Sequence, residues 1–308
     1  MLYGPEQSKG LSTTFSNIAN SLGEKIVLPK FEQFIRERKY LTNVSPATIQ
    51  WYTHNFKWLL TESPSQSDLK DAVLRMREKG LKATGCNSAI RAINSYMHWL
   101  HNPEVKCSPS CTHPRIAQLK EPELVLPTFP LDHVALITHH KPKGFIRRRL
   151  HSIMLTLLDT GCRIDEVLSL KVGDCDWDNL LFTVTGKGSK QRRIPFSLEL
   201  RRVLTRYVTE FCPHPDELLF GTRRGRKLGR RVVLRDVKLL CKTLGFDPPA
   251  RTLHAFRHTF AVNYLRRGGS VFHLQKVLGH TSLEMTRRYA NLMTEDLQAV
   301  HQKLSLLS

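Results

Sequence analysis

The 308-residue sequence has no apolar run near the roughly 20 residues that span a bilayer, and its N-terminus lacks the apolar core of a signal peptide. Both absences argue against a membrane protein. The sequence also lacks a Cys-x-x-Cys pair, since its seven cysteines are an odd number and are scattered along the chain. This usage argues against a disulfide framework and predicts a reducing, cytoplasmic environment.

Acidic residues are scarce relative to basic ones. The chain has 27 Asp and Glu against 47 Lys and Arg, which gives a formal net charge of +20. An excess of this size attracts a polyanion by releasing its condensed counterions, so nucleic acid is the first candidate partner and an anionic membrane a distant second. Two dense basic groups, within 141–149 and 223–235, support a phosphate-binding surface.

One short segment contains potential metal ligands, namely Cys107, Cys111 and His113, with His101 upstream. Thiolates and imidazoles bind zinc, but this spacing fits no common zinc module. An ordinary loop is the favoured interpretation, and the sequence alone leaves a metal there open. No metal site and no cofactor is predicted elsewhere.

Composition and periodicity predict two domains. Residues 1–23 are polar and are expected to form a flexible tail. Residues 24–104 show apolar residues at helical spacing, with Ser45-Pro46 as a helix start signal, and predict a four-helix domain. Prolines interrupt residues 105–129, which predicts an interdomain linker.

The remainder, 130–308, alternates helical stretches with one β-hairpin. Apolar and β-branched residues flank the Gly-rich turn 186–190 of that hairpin. The predicted fold class is therefore mainly α with a small β-sheet (α+β). The last segment, 292–307, is expected to form a short helix that docks on a neighbouring protomer; packing on its own domain is the alternative.

The stretch that begins at Thr252 concentrates reactive side chains. Thr252 is predicted to cap a helix on which His254 and Arg257, spaced i,i+3, meet one ligand together. His254 and His258 have the i,i+4 spacing of a helical zinc pair. Ala255 stands where a zinc protease has its general-base Glu, which argues against that enzyme class.

Upstream, Gly161 is expected to end one helix and to place Arg163 at the start of the next. The N-terminus of a helix favours anions, so an arginine at this position is unusual. It is explained if Arg163 and the helix N-terminus bind one phosphate together. Further along, a short helix that begins at Ser270 precedes His280, and Tyr289 follows nine residues later. A DNA-reading helix-turn-helix is an alternative for this region.

The ordered set Arg163, Lys187, His254-x-x-Arg257, Leu278-Gly279-His280 and Tyr289 is far more specific than any of its members. Through this set the sequence resembles the tyrosine recombinases, or phage integrase family, across about 25–305. The resemblance implies a helical core-binding domain and a catalytic domain that form a C-shaped clamp around DNA. The implied enzyme needs neither a metal nor ATP.

The resemblance also implies a role for each residue. Arg163 and Arg257 clamp the scissile phosphate, and Lys187 protonates the leaving 5′ oxygen, with Lys190 as the nearby alternative. His254 contacts the phosphate and assists proton removal from the tyrosine. The remaining positions are His280, which hydrogen-bonds the phosphate, Glu166, which supports the site, and Tyr289, the nucleophile that forms a 3′-phosphotyrosine.

The short tail resembles that of two-domain recombinases of chromosomes, transposons and other mobile elements, in bacteria or phage. The expected partner is double-stranded DNA with inverted-repeat core sites, bound by a dimer that forms a tetramer and a Holliday junction in synapsis. A second recombinase or accessory proteins are further possible partners. The alternatives are a type IB topoisomerase-like enzyme and a non-catalytic DNA-binding regulator on the same fold.

Overall fold

The computed structural model describes residues 29–101, 113–121, 126–186, 191–211, 214, 216–280, 282–283, 285–286 and 289. The chain divides into two compact units between Glu123 and Leu124. The predicted N-terminal tail lies outside the described residues. None of the helices formed by these residues has the length and apolar composition of a membrane span.

The described part of the first unit contains four helices and irregular segments. The helices are α1 (Pro29–Tyr40), α2 (Pro46–Phe56), α3 (Gln66–Glu78) and α4 (Ala83–His101). Ser45 caps α2 as predicted, since its side chain accepts a hydrogen bond from the Thr48 amide. The core of the unit is aromatic, and the fully buried Phe34 meets the rings of Tyr52 and Tyr96 edge to face.

Part of the proline-rich segment lies along the first unit. The amide of Leu119 donates to Asn87 Oδ1 at 2.7 Å, and the amide of Ile116 donates to Asn94 Oδ1 at 3.0 Å. Asn87 and Asn94 both belong to α4, so this helix holds residues 113–121 against the four-helix unit. The boundaries of the linker, 105–129, stay a prediction.

The second unit contains helices and one small sheet. The helices are α5 (Leu131–His139), α6 (Phe145–Thr160), α7 (Ile164–Val167), α8 (Leu198–Phe211), α9 (Arg230–Thr243), α10 (Thr252–Arg266) and α11 (Val271–Leu278). The strands are β1 (Cys175–Asp176), β2 (Leu181–Thr185) and β3 (Gln191–Pro195), antiparallel in the order β1-β2-β3. The hairpin and the fold class are confirmed, while the two-residue β1 was not predicted.

Helix α6 lies at the centre of the second unit, where it packs against α10 and α8. Its Ile153 and Leu157 are fully buried, as are Phe182 of β2 and Phe256 of α10. Burial of such side chains supplies most of the stabilisation of a domain. This core fixes α10, which carries the predicted site residues His254 and Arg257, against the end of α6.

The start of α10 differs from the prediction. Arg251, in a left-handed conformation with φ of 54°, is the N-cap residue, whereas Thr252 is the first residue of the helix. The Thr252 hydroxyl donates to the carbonyl of Pro249 at 3.0 Å. The predicted Thr252 cap is therefore wrong, because the hydroxyl secures the preceding loop instead of the helix start.

Candidate active site

The junction between α6 and α7 forms one wall of the site. Gly161 ends α6 in a left-handed conformation with φ of 62°, and Arg163 is the N-cap residue of α7. A Cβ added at Gly161 would overlap the ring of Phe260 on α10. Glycine is thus required both by the backbone conformation and by the close approach of α10.

Glu166 positions Arg163. Its carboxylate accepts from the Arg163 amide at 2.8 Å and from Arg163 Nη1 at 3.0 Å. Burial alone would raise the pKa of Glu166, but hydrogen bonds from Arg192 and Arg163 outweigh it and hold the pKa below its usual value. The carboxylate is therefore charged at neutral pH and can orient two cations.

Arg192 is a site residue that sequence reasoning missed. It lies on β3, and its guanidinium donates to both carboxylate oxygens of Glu166, from Nη1 to Oε1 at 2.8 Å and from Nη2 to Oε2 at 2.9 Å. Its Nε donates to the carbonyl of Val277 at 3.1 Å. One guanidinium thus joins the hairpin, α7 and the end of α11.

Arg257 is buried, with only 7% of its surface exposed. Its Nη1 donates to the carbonyl of Gly161 at 2.9 Å and its Nη2 to the carbonyl of Leu278 at 2.7 Å. Burial, followed by repulsion from Arg163, lowers the pKa of Arg257 to about 10. The side chain remains a cation at neutral pH, held between the ends of α6 and α11.

Tyr289 is 4% exposed and packs in an apolar cluster with Leu265, Leu274 and Leu278. Its Oη lies 2.9 Å from Nδ1 of His258, which is within hydrogen-bonding distance. Sequence reasoning considered His258 only as a zinc ligand and missed this contact. The i,i+4 relation to His254 was the available signal, but spacing does not reveal which imidazole reaches the phenol.

His280 also lies beside the phenol ring of Tyr289. Its ring is parallel to that of Tyr289, with an interplanar angle of 5° and centroids 6.3 Å apart. Its Nδ1 lies 2.9 Å from the Thr286 hydroxyl. Burial, then the charges of Arg257 and Arg163, lowers the pKa of His280 to about 4, so the ring is neutral at neutral pH.

His254 is exposed and borders a pocket of about 410 Å³. The basic residues that line this pocket beside it are Arg230, Lys238, Arg251 and His258. Partial burial, then the charges of Arg230 and Arg251, lowers the pKa of His254. A pocket with this lining is suited to an anion such as a phosphodiester.

Two predicted elements cannot be placed. Lys187 and its alternative Lys190 lie outside the described residues, between β2 and β3 in the sequence. The C-terminal segment 292–307 also lies outside them. The role of the lysine and the docking of this segment stay predictions.

The candidate metal ligands are only partly described. Cys107 and Cys111 lie outside the described residues, while the His113 ring lies with its centroid 6.0 Å from that of His101 and 5.5 Å from that of His98. Within the described ranges, no three His, Cys, Asp or Glu side chains are arranged to hold a metal ion.

Comparison with known proteins places these residues in a family context. The phage integrase family matches residues 130–296, which is more than half of the chain. Tyrosine recombinase XerA of Pyrococcus furiosus is 29% identical over 287 residues, covering 91% of this chain and 94% of its own. Tyrosine recombinase XerD of Yersinia pestis is 26% identical over 265 residues, covering 83% and 87%.

Solved structures show the same fold. The Tn1549 transposon integrase in complex with transposon right end DNA has a TM-score of 0.70 at 23% identity, covering 90% of this chain and 99% of that one. The recombinase XerH bound to its difH substrate has a TM-score of 0.67 at 19% identity, covering 94% and 88%. With the described fold and the family match over 130–296, these findings show that the chain belongs to the phage integrase family of tyrosine recombinases.

Proposed function

We propose that this chain, a site-specific DNA recombinase, cleaves and rejoins DNA through a covalent 3′-phosphotyrosine on Tyr289. The observation that carries the proposal is the convergence of basic groups on one buried phenol. Tyr289 Oη contacts His258, the His280 ring lies parallel to its ring, and Arg257 donates to the carbonyl that precedes Gly279 and His280. A phenol in such surroundings is suited to attack a phosphate.

In this mechanism Arg163 and Arg257 neutralise the charge that develops on the pentacoordinate phosphate. Planar guanidinium forks suit this task, because they bind two phosphate oxygens at once and are fixed before the reaction begins. Glu166 and the carbonyls of Gly161 and Leu278 hold the two arginines in place. His254 and His280 add further contacts to the phosphate.

We assign to Lys187 the role of general acid, which donates a proton to the leaving 5′ oxygen. The position of Lys187 in the hairpin sequence supports this assignment. The energy of the broken phosphodiester is kept in the phosphotyrosine ester. Attack by a free 5′ hydroxyl then rejoins the strand, so the reaction needs no ATP.

The proposed partner is duplex DNA with inverted-repeat core sites. The net charge of +20 and the basic pocket beside His254 support a phosphate backbone as ligand. XerH was solved on a palindromic difH substrate, and lambda integrase as a dimer on a core site. We propose by analogy a dimer on each site and a tetramer in synapsis. The relatives do not favour the topoisomerase or the regulator.

The experiment is recovery of DNA that remains attached to the protein after rapid denaturation of cells that express it. We expect attached DNA with the wild type and none with Tyr289→Phe, which keeps the ring but lacks the nucleophilic oxygen. Sequencing the attached DNA would identify the site. Equal recovery with both proteins would contradict the assignment of Tyr289.

A further inference from the structure

The contact between His258 and Tyr289 gives His258 access to a reacting atom. His258 is half-buried on α10, and its Nδ1 is the ring atom that lies 2.9 Å from the phenolic oxygen. His254, the residue to which the family resemblance assigns proton removal, is exposed one helical turn away, and both histidines line the basic pocket. Because a base must lie within about 3.2 Å of the oxygen whose proton it takes, the geometry favours His258.

We propose that His258, not His254, accepts the phenolic proton of Tyr289 during DNA cleavage, an inference that rests on the proposed role of Tyr289 as the nucleophile. The Tyr289 O–H bond breaks and a bond from that proton to His258 Nδ1 forms. The Tyr289 oxygen bonds to phosphorus, and the bond from phosphorus to the 5′ oxygen breaks. That oxygen takes a proton from the general acid, and religation runs the same steps in reverse.

The surroundings of His258 link this proton transfer to the presence of DNA. The titratable and charged groups that face it come from α10 and its start, from α9 and from the turn after α11: Arg251, His254, Arg257, Arg230, Lys238 and His280. Burial, then His254, Arg257 and Arg251, lowers the pKa of His258 to about 4, so the imidazole is neutral and able to accept a proton at neutral pH.

The same cations oppose the imidazolium that results from the transfer. A phosphate bound at Arg257 would offset the charge of this arginine, and an anion near an imidazole favours the protonated form of the ring. The base thus becomes effective once the scissile phosphate is bound. Without DNA, the phenol keeps its proton in the contact with His258.

The first arm of the test needs no DNA. Nitrogen NMR of isotopically labelled histidine in the full chain reports which ring nitrogen of His258 carries hydrogen. At neutral pH we expect Nδ1 to be unprotonated and its signal to shift in Tyr289→Phe. A proton on Nδ1, with His258 donating to the phenol, would overturn the proposal.

The second arm measures the rate of adduct formation on a nicked duplex that carries the sequence recovered from wild-type adducts. His258→Asn keeps a hydrogen-bond acceptor near the position of Nδ1 but cannot take the proton. We expect a rate about 100-fold lower, the usual contribution of general base catalysis. The exposed His139, replaced by Asn, is the matched control and should leave the rate unchanged.

Replacement of Tyr289 by a fluorinated tyrosine separates proton transfer from positioning. A more acidic phenol needs less help from a base, so we expect the fluorinated residue to restore about tenfold or more of the rate lost in His258→Asn. A wild-type rate in His258→Asn, or no gain from fluorination, would overturn the role of His258. Adducts formed by Tyr289→Phe would instead overturn the proposed nucleophile.

Discussion

At the scale of single residues, Arg257 shows how the site is fixed before any substrate arrives. Two of its nitrogens bind the carbonyls of Gly161 and Leu278, which lie at the ends of two different helices. Carbonyls at the C-terminal end of a helix have no amide of that helix to accept a hydrogen bond from, and both of these carbonyls lie at such an end. The guanidinium therefore satisfies the helix ends while it presents its remaining donors to a ligand.

His280 provides a pH-dependent prediction at this scale. Its pKa is about 4 in the folded protein and lies near 6.5 in an unfolded chain. At pH values between these two pKa values, His280 is protonated in the unfolded chain but neutral in the folded protein. Lowering the pH from 6.5 towards 4 therefore favours unfolding. We expect the unfolding temperature of the wild type to fall as pH is lowered from 6.5 towards 4, and His280→Asn to reduce that fall.

Thermal unfolding followed by circular dichroism at several pH values measures this effect. His139→Asn is the control, because His139 is an exposed histidine on α5. An identical pH dependence for His280→Asn and the wild type would show that His280 is not kept neutral by the fold.

Residue spacing predicted much of the site and missed two of its contacts. The junction at Gly161 and Arg163 and the start of a short helix at Ser270 follow from local chemistry, and the structure confirms them. Arg192 and His258 act through contacts at sequence separations of 26 and 31 residues. The alternation of residues along β3 and the helical periodicity along α10 indicate on which face Arg192 and His258 lie. They do not indicate which atom from a distant part of the sequence contacts that face.

At the scale of elements, Arg192 connects the hairpin to the two helices that carry Arg163 and precede His280. A lysine at this position keeps the charge but cannot bind both oxygens of Glu166 and the Val277 carbonyl. We expect Arg192→Lys to lower the free energy of unfolding by about 1 to 3 kcal/mol, since buried partners are left without a hydrogen bond. Adduct formation should slow by about 100-fold as Arg163 shifts.

Denaturant unfolding and single-turnover adduct formation measure these two effects. Arg193→Lys is the matched control, because Arg193 is the exposed neighbour on the same strand. We expect it to change stability by less than about 0.5 kcal/mol. Equal behaviour of the two variants would contradict the connecting role of Arg192.

The contact between the end of α6 and α10 depends on Gly161. An alanine there adopts a left-handed conformation at a cost of about 1 to 2 kcal/mol and also overlaps the Phe260 ring. Gly245, which follows the end of α9, also has a positive φ, of 88°, but a Cβ there meets nothing within 4 Å. We expect Gly161→Ala to lower the unfolding temperature clearly more than Gly245→Ala, and equal losses would show that the close packing is unimportant.

At the scale of the whole molecule, the charge of +20 governs the encounter with DNA. If six to ten phosphates are contacted, the binding constant should fall by about 1,000-fold or more between about 50 and 200 mM salt. We expect Tyr289→Phe to bind a duplex of arbitrary sequence with the same affinity and salt dependence as the wild type. Fluorescence anisotropy measures both, and a salt-independent affinity would contradict a phosphate-backbone interface.

The order of the two units was predictable because composition changes sharply along the chain. The change from helical periodicity to prolines near residue 103 indicated a boundary region, and the division after Glu123 lies inside the predicted linker, 105–129. Hydrogen bonds between the side-chain amides of Asn87 and Asn94 and the backbone of the 113–121 segment hold this part of the linker against the first unit. Side-chain amides that bind a distant backbone leave no periodic signal in the sequence.

The most direct measurement of the central claim is identification of the residue that carries DNA after cleavage. The trapped adduct is digested with nuclease and trypsin, and the peptides are sequenced by mass spectrometry. Cleavage after Arg288 releases the peptide 289–303, which begins with Tyr289. We expect the nucleotide mass on the Tyr289 phenol. A nucleotide on any other residue, with Tyr289 unmodified, would contradict the account.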